Sequence, residues 1–306
     1  MENYKIIKFL GEGTWGVVHM AEQKGTNRVV AIKKIKSKRP EEGVNFTAVR
    51  EIKLLREFKH ENIIELVDCF TTPDLAVCLV YECAHTDLEK ILKNKAIPIS
   101  LADTKQHLWS LLRAIEACHD RWILHRDLKP DNMLFLQNGT MKLADFGLAR
   151  TYGTPKQRLS PQAITLWYKP PELLLGASEY SSAADMWSVG CIFAELLLRR
   201  AFLQGKDSDI SQLETIFTVF GTPNETNWPD YETLPLCTRG LIWDDTTPIP
   251  FDEIFMAAPK DAISLLRSIL VLDPNMRFTA SQCQSHPYFS NDPPRTPSQN
   301  LVLSSS

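Results

Sequence analysis

The sequence predicts an α+β protein built as two unequal lobes, a small β-rich one carrying one main helix and a larger, mainly helical one. Three observations lead there. Residues 4–35 read as a β-meander, because IIKFL, VVHMA and VVAIKKI are short β-branched runs separated by a Gly-rich turn and by the turn 24–28. A single helical period follows in NFTAVREIKLL, residues 45–55, and two further apolar runs, IIELVDCF and LAVCLVYE, complete the sheet. From residue 100 onward long helical periods such as TKQHLWSLLRAIEACH alternate with short loops rich in proline. The change falls near ECAHTD, so residues 1–84 form the expected small lobe and residues 85–290 the large one. The Pro/Ser-rich end, residues 291–306, is expected to be an extended tail.

The helix in 45–55 contains an anomaly. Asn45 is its expected N-cap, and Ala48, Leu55 and Phe58 lie on one apolar face with Glu51 in the same stripe. A helix seldom turns a lone carboxylate toward its core, so Glu51 needs a buried cation. Lys33 supplies one, since it interrupts the otherwise apolar strand VVAIKK, and an inward lysine on a strand is a natural partner for an inward glutamate on the next helix.

Bulk composition narrows the function classes. The chain has 306 residues, 44% hydrophobic and 23% charged, with a net charge of -3. That is ordinary for a globular protein and gives no global basic field for nucleic acid or an anionic membrane. Seven scattered cysteines, Cys69, Cys78, Cys83, Cys118, Cys191, Cys237 and Cys283, show no CxxC pair and no zinc spacing, and read as reduced core residues. The segment MENYKIIKFLGEG lacks the apolar core of a signal peptide, and no apolar run has the length of a membrane span, so cytosol or nucleus is the expectation.

Four motifs carry chemistry. GEGTWGVV, residues 11–18, matches GxGxxGxV; a dinucleotide fingerprint would open a helix after its glycines, whereas Val17 and Val18 continue a strand, which favours a β-turn lid over phosphates. Lys33 in VVAIKK, held by Glu51, can grip a phosphate. LHRDLKPDNML, residues 124–134, fits HRDLxxxN: Asp127 would orient a hydroxyl nucleophile and accept its proton, Lys129 would steady the transferring phosphoryl group, and Asn132 would bind Mg²⁺. KLADFGLAR contributes Asp145 as the second Mg²⁺ ligand. A glycine hairpin, a surface lysine or a solvated charged turn would explain each motif singly but not their order.

With these residues in that order, the chain resembles the eukaryotic protein kinases over residues 4–289, and the LKP after HRD resembles the serine/threonine branch. The resemblance implies a bilobal protein kinase fold with ATP between the lobes. It implies that Leu10, Gly11, Glu12, Gly13, Thr14, Trp15, Gly16, Val17 and Val18 cover the nucleotide, that Ala31 lines it, and that Tyr81 is the gatekeeper. Glu82 and Ala84 would offer backbone contacts to adenine, Leu134 its floor and Asp87 a ribose contact. Thr165 would bridge Asp127 and Lys129, and Asp185 would hold the catalytic loop from below.

NFTAVRE takes the place of the cyclin-docking helix of the cyclin-dependent kinases, and within them the resemblance is greatest to the catalytic subunit of the CDK-activating kinase. NFTAVREIKLL, RWILHRDLKP, AELLLRRAFLQGKDSDISQL, GTPNETNWPD and YFSNDPPRTP carry it. It implies Mg-ATP as phosphoryl donor and a cyclin H-like subunit, a RING-type assembly factor and transcription factor IIH as partners. It further implies a nuclear location, Ser/Thr-Pro sites in the polymerase II heptads and in other kinases' activation loops as protein substrates, and no direct nucleic-acid or membrane contact. Arg50, Arg126 and Arg150 would converge on an activating phosphate at Ser160, with Thr154 a second site; a phosphoserine brings roughly -1.5 to -2 charges to such a cluster. Three departures stand out. Position 160 is Ser followed by Pro161, which admits either self-phosphorylation or another proline-directed kinase. PPE, residues 170–172, replaces APE while keeping Glu172 for Arg277. Leu166 resembles the ordinary proline-directed members, so a cell-cycle kinase stays an alternative, as does a cyclin-binding pseudokinase scaffold.

Overall fold

The computed structural model describes residues 3–13, 16–35, 46–73, 76–151, 166–178, 181–241 and 243–303. The small lobe holds β1 (Tyr4–Glu12), β2 (Gly16–Gln23), β3 (Arg28–Ile35), α1 (Phe46–Glu57), β4 (Leu66–Thr71) and β5 (Val77–Glu82), its strands forming one antiparallel sheet in the order β1-β2-β3-β5-β4. In the rest of the chain come β6 (Thr86–Asp87), α2 (Leu88–Lys93), α3 (Leu101–His119), β7 (Ile123–Leu124), β8 (Met133–Phe135), β9 (Met141–Leu143) and β10 (Arg150–Thr151). The helices α4 (Pro171–Leu174), α5 (Ser182–Leu198), α6 (Asp209–Phe220), α7 (Phe251–Ile254), α8 (Lys260–Ile269) and α9 (Ala280–Gln284) complete it. This is the expected α+β architecture, a β-rich lobe with one main helix on a helical lobe.

Local chemistry sets the boundaries. Gly16 opens β2 where it runs close against the end of β3: a Cβ there would stand 2.4 Å from the Lys34 carbonyl oxygen. Asp87 caps α2 by accepting from the Lys90 amide at 2.8 Å, and Ser100 with Asp103 forms a reciprocal capping box at the start of α3. The expected strand IIELVDCF begins later than its apolar run, at Leu66, because Ile63 bridges instead to Leu143 and the Ile64 amide donates to the Leu143 carbonyl. That detour ties the loop after α1 to β9 of the other lobe. Asn45, the expected cap of α1, lies outside the described residues.

The helical period of α1 places Ala48, Leu55 and Phe58 in the core, each under 5% exposed, and Glu51 with them at 1%. The core is continuous from there through Leu108, Leu111 and Leu112 of α3 to Trp187, Ile192 and Phe193 of α5 and on to Tyr288. All seven cysteines are free; four are buried, but Cys69, Cys83 and Cys237 are only half-buried, Cys69 and Cys237 packing against the core from its edge. Among the described residues no helix is long and apolar enough to cross a membrane.

The final segment, expected to be extended, is described over residues 291–303. It has little regular structure, yet it is strapped along α3. Lys105, 1% exposed, donates its ammonium to the carbonyls of Asn291 at 2.7 Å and Pro293 at 2.9 Å and stands 4.9 Å over the Tyr288 ring. Arg295 stacks 4.0 Å over Trp109, the Thr296 amide donates to the Ala102 carbonyl, and Gln106 donates to the Ser298 hydroxyl. Composition predicts such a segment to lack a core of its own; it borrows the one α3 provides.

Candidate active site

The cleft between the lobes is a cavity of about 300 Å³. Leu10, Val18 and Ala31 from the sheet close it above, Leu134 of β8 closes it below, and Tyr81, Glu82 and Ala84 edge it at the crossing between lobes. Lys33, Glu51, Asn132 and Asp145 meet at its inner end. In the glycine-rich turn, a Cβ added at Gly11 or Gly13 would meet nothing within 4 Å, and the Gly13 amide donates to the Gly16 carbonyl at 2.9 Å. Thr14 and Trp15 lie outside the described residues, as do Thr165, Ser160 and Thr154.

Glu82 reaches this edge already committed. Its carboxylate accepts from the Glu65 amide at 3.0 Å and pairs with Lys142 at 3.1 Å, and its own amide donates to the Glu65 carbonyl. Asp87 lines the cleft while capping α2 and pairing with Lys90 at 2.7 Å.

Lys33 is shared between two carboxylates. It lies 2.9 Å from Asp145 and 3.6 Å from Glu51. Burial alone would lower the Lys33 pKa, but Glu51 and Asp145 outweigh it and hold the ammonium charged. Burial pushes the Glu51 carboxyl above its ordinary value, only partly offset by Lys33. Burial would also raise Asp145, yet Lys33 more than reverses this and holds it below the usual carboxylate range. Asp145 adopts a left-handed backbone with φ of 62°. Such a conformation costs about 1–3 kcal/mol for a residue with a side chain, and here it turns the carboxylate toward Lys33.

Below, a loop of charged groups is held rigidly. Asp185, 1% exposed at the start of α5, accepts from the backbone amides of His125 at 2.9 Å and Arg126 at 3.0 Å and from the His119 ring at 2.9 Å. Burial would raise its pKa, but the His119 hydrogen bond and the other donors draw it below the usual range. His125 in turn approaches the Ala144 carbonyl at 3.0 Å and meets the Phe146 ring edge-on at 4.9 Å, joining this loop to the segment that carries Asp145. On that frame the Asp127 carboxylate accepts from Lys129 at 2.9 Å and from the Asn132 amide at 3.2 Å, while the same amide donates to the Asp127 carbonyl at 2.7 Å.

The Asn132 amide nitrogen is thus occupied, and Asn132 and Asp145 line the same cavity. A neutral oxygen and a carboxylate lining one cavity are the hard donors a magnesium ion takes, so these residues fit Mg²⁺.

A second cavity of about 640 Å³ opens on the far side of α1, lined by Arg50, Lys53, Arg121 and Arg150 with Glu57 among apolar residues. Burial lowers the Arg50 pKa and the nearby Arg150 guanidinium lowers it further, so two of the three expected arginines are brought together. Arg126 is buried and donates to the Leu148 carbonyl at 3.4 Å; it does not line this cavity.

Several cleft residues escaped the sequence. Ile64, His85, Thr86, Lys90, Asp131 and Ala144 also line it. Ile64 and Ala144 arrive through the bridge between α1's following loop and β9, which no local period announces. Asp131 occupies a variable position of HRDLxxxN; burial and a hydrogen bond with Glu89 push its pKa up to about 6. The expected ion pair of Glu172 with Arg277 is present and bidentate, at 2.7 Å for each bond. Trp228 is core at 4% exposure, and Trp243 packs 5.0 Å from Phe217.

Residues 4–289 match the model of the protein kinase domain. The chain is 46% identical to cyclin-dependent kinase 7 of Dictyostelium discoideum over 95% of its own length and 81% of that protein's. It is 46% identical to cyclin-dependent kinase 7 of Xenopus laevis over 98% of this chain and 85% of that one, and 47% identical to cyclin-dependent kinase D-1 of Oryza sativa subsp. indica over 97% and 69%. A solved structure of the CAK complex from Chaetomium thermophilum bound to ATP-gamma-S superposes with a TM-score of 0.89 at 39% identity, covering 98% of this chain and 94% of that one. The yeast RNA Pol II CTD kinase CTDK-1 complex gives 0.89 at 33% identity, covering 99% and 97%. The chain therefore belongs to the protein kinase family, in its cyclin-dependent serine/threonine branch.

Proposed function

We propose that this chain transfers the γ-phosphate of ATP to serine or threonine followed by proline, in polymerase II heptads and in the activation loops of other cyclin-dependent kinases. The observation that carries the reading is that Lys33, Glu51, Asp145 and Asn132 line one cavity, while Asn132 is itself hydrogen-bonded to the Asp127 carboxylate that also accepts from Lys129. In this reading Asp127 orients the substrate hydroxyl and accepts its proton, and Lys129 neutralises charge on the phosphoryl group in transfer. Lys33 grips the nucleotide's phosphates, and Asn132 with Asp145 holds Mg²⁺, which supplies charge neutralisation at those phosphates. Leu10, Val18, Ala31 and Leu134 sandwich adenine, with the Glu82 carbonyl and Ala84 amide as its polar contacts. Thr165 bridges Asp127 and Lys129.

Arg50, Arg126 and Arg150 receive the phosphate of Ser160, with Thr154 a second acceptor. Support comes from the mutual repulsion of Arg50 and Arg150 at the basic cavity, which an anion would relieve. The partners are a cyclin H-like subunit docking on α1, where Val49 is 46% exposed, a RING-type assembly factor and transcription factor IIH, in the nucleus. The relatives named as CAK and CTD kinases support this assignment of substrates.

The test is phosphate transfer from Mg-ATP by the purified chain, alone and with a cyclin H-like subunit, to a polymerase heptad peptide and to an activation-loop peptide. Partner-stimulated transfer that Asp127→Asn abolishes is expected. Transfer to neither peptide by the partnered, Ser160-phosphorylated protein would refute the substrate assignment.

A further inference from the structure

Glu51 is held by two groups, and the closer one is not the lysine. Its Oε1 accepts a hydrogen bond from the Tyr81 hydroxyl at 2.6 Å, whereas Lys33 stands 3.6 Å from Oε2 and only 2.9 Å from Asp145. Tyr81 is opposite Ala31 in the pairing of β3 with β5, and Lys33 is two residues along, so both side chains rise from one face of the sheet toward α1. Glu51 is 1% and Tyr81 8% exposed. The bond is therefore made largely out of solvent, and a hydrogen bond from a neutral phenol to a buried carboxylate is among the stronger kinds. The phenol stays a donor, because burial and then the Glu51 charge raise its pKa well above the ordinary value.

Lys33 has two claims on it. The arrangement leaves its ammonium nearer Asp145, and a helix tethered through Lys33 alone would be tethered by the longer contact. The Tyr81 bond does not depend on that division. It joins β5 directly to α1, and it closes only when α1 is turned so that Glu51 enters the cleft.

We propose that the Tyr81 hydroxyl is a positioning group that holds Glu51, and with it α1, in the inward orientation, and that it thereby supplies some of the ordering a helix-docking partner completes. The second half of this inference rests on the reading above that a cyclin presses α1 inward. Tyr81 acts through Glu51 and not on the reacting atoms.

The experiment compares the full chain with Tyr81→Phe, which removes one oxygen and keeps the ring. Amide hydrogen exchange is followed over residues 46–57 without any partner. Exchange there should quicken about tenfold, the factor expected for losing a hydrogen bond to a charged group, with α5 unchanged; equal rates at α1, or equal acceleration at α1 and α5, would overturn the proposal. In a Glu51→Ala background the same substitution should change nothing, and a persisting tenfold effect would show that the hydroxyl acts elsewhere. Peptide phosphorylation then tests the coupling: the partner-free kcat should fall about tenfold, the deficit shrinking to about twofold at saturating cyclin, with the KM for ATP moving less than kcat. A deficit of the same size with and without cyclin would overturn the coupling. If no cyclin stimulated even the parent chain, the cyclin reading would fail by itself, while the exchange data would still decide what Tyr81 does.

Discussion

Glu51 and Glu172 are both buried carboxylates, each within reach of a cation, and they are held in opposite ways. Glu172 receives both bonds of the Arg277 fork at 2.7 Å, and that guanidinium is itself fixed by the Val271, Leu272 and Ala183 carbonyls and stacked 4.9 Å over Trp187. Glu51 has a lysine that leans toward another carboxylate and a tyrosine that reaches it from the sheet. A rigid planar fork with every donor satisfied has one geometry; a point charge divided between two acceptors has several. The first arrangement belongs to a scaffold, the second to an element whose position is adjustable.

Breaking each pair should therefore damage a different property. Arg277→Leu leaves Glu172 buried without a cation and should cost about 3–5 kcal/mol of stability, read as a fall in the denaturation midpoint. Glu51→Ala should cost less stability than that, about 1–3 kcal/mol for the Tyr81 hydroxyl left without its acceptor, because Lys33 keeps Asp145, yet lower partner-saturated phosphorylation about 100-fold, the scale of a catalytic group misplaced by about an ångström. An Arg277→Leu chain as stable as the parent, or a Glu51→Ala chain that unfolds, would erase the distinction.

A buried group that carries no charge sharpens it from another side. His107 is 3% exposed, packs 5.1 Å edge-on to Phe135, and burial pushes its pKa down to about 4. Its folded value lies below the ordinary 6.5, so the unfolded chain binds the extra proton between those two values. Stability is therefore lost as pH falls from about 6.5 toward 4, by about 2 kcal/mol at pH 5. His107→Phe should remove that share of the acid sensitivity in denaturation series at pH 5 and pH 8. Smallest is the Lys105 share of ending the chain at Ser290. Without Asn291 and Pro293 the Lys105 ammonium exchanges two carbonyl acceptors for water, at about 1–2 kcal/mol, and Lys105→Met in the shortened chain should recover that share but not what is lost with the Arg295 stack and the Thr296 and Ser298 bonds.

The sequence made the fold and much of the cleft legible because the chemistry there is local. HRDLxxxN and DFG keep their ligands within a few residues, and the period of α1 singled out Glu51 before any partner was in view. What stayed hidden depends on contacts between distant segments. Tyr81 ends an apolar strand and reads as core; only the packing of α1 on β5 gives its hydroxyl an acceptor, though a tyrosine at the close of LVY was a signal that a polar partner would be needed. Ile64 and Ala144 enter the cleft through a bridge between lobes, and Asp131 through a position the motif leaves variable. The docking of residues 291–303 was hidden for the converse reason. Its composition has no core to announce, and the aromatic and cationic surface it uses, Trp109 and Lys105, belongs to a helix nearly two hundred residues earlier.

That strap also defines a path for mechanical load. A pull on the chain near Leu303 would first draw Leu303 and Leu301 off the core and then load the Gln106 to Ser298 and Thr296 to Ala102 bonds, which can open in succession like a zip. The stack of Arg295 on Trp109 comes next, and only then the two carbonyls that grip Lys105. Tension on this end of the molecule would thus be spent along the outer surface of α3 before it reached the cleft, and the catalytic frame would be insulated from whatever the C-terminal end is tied to.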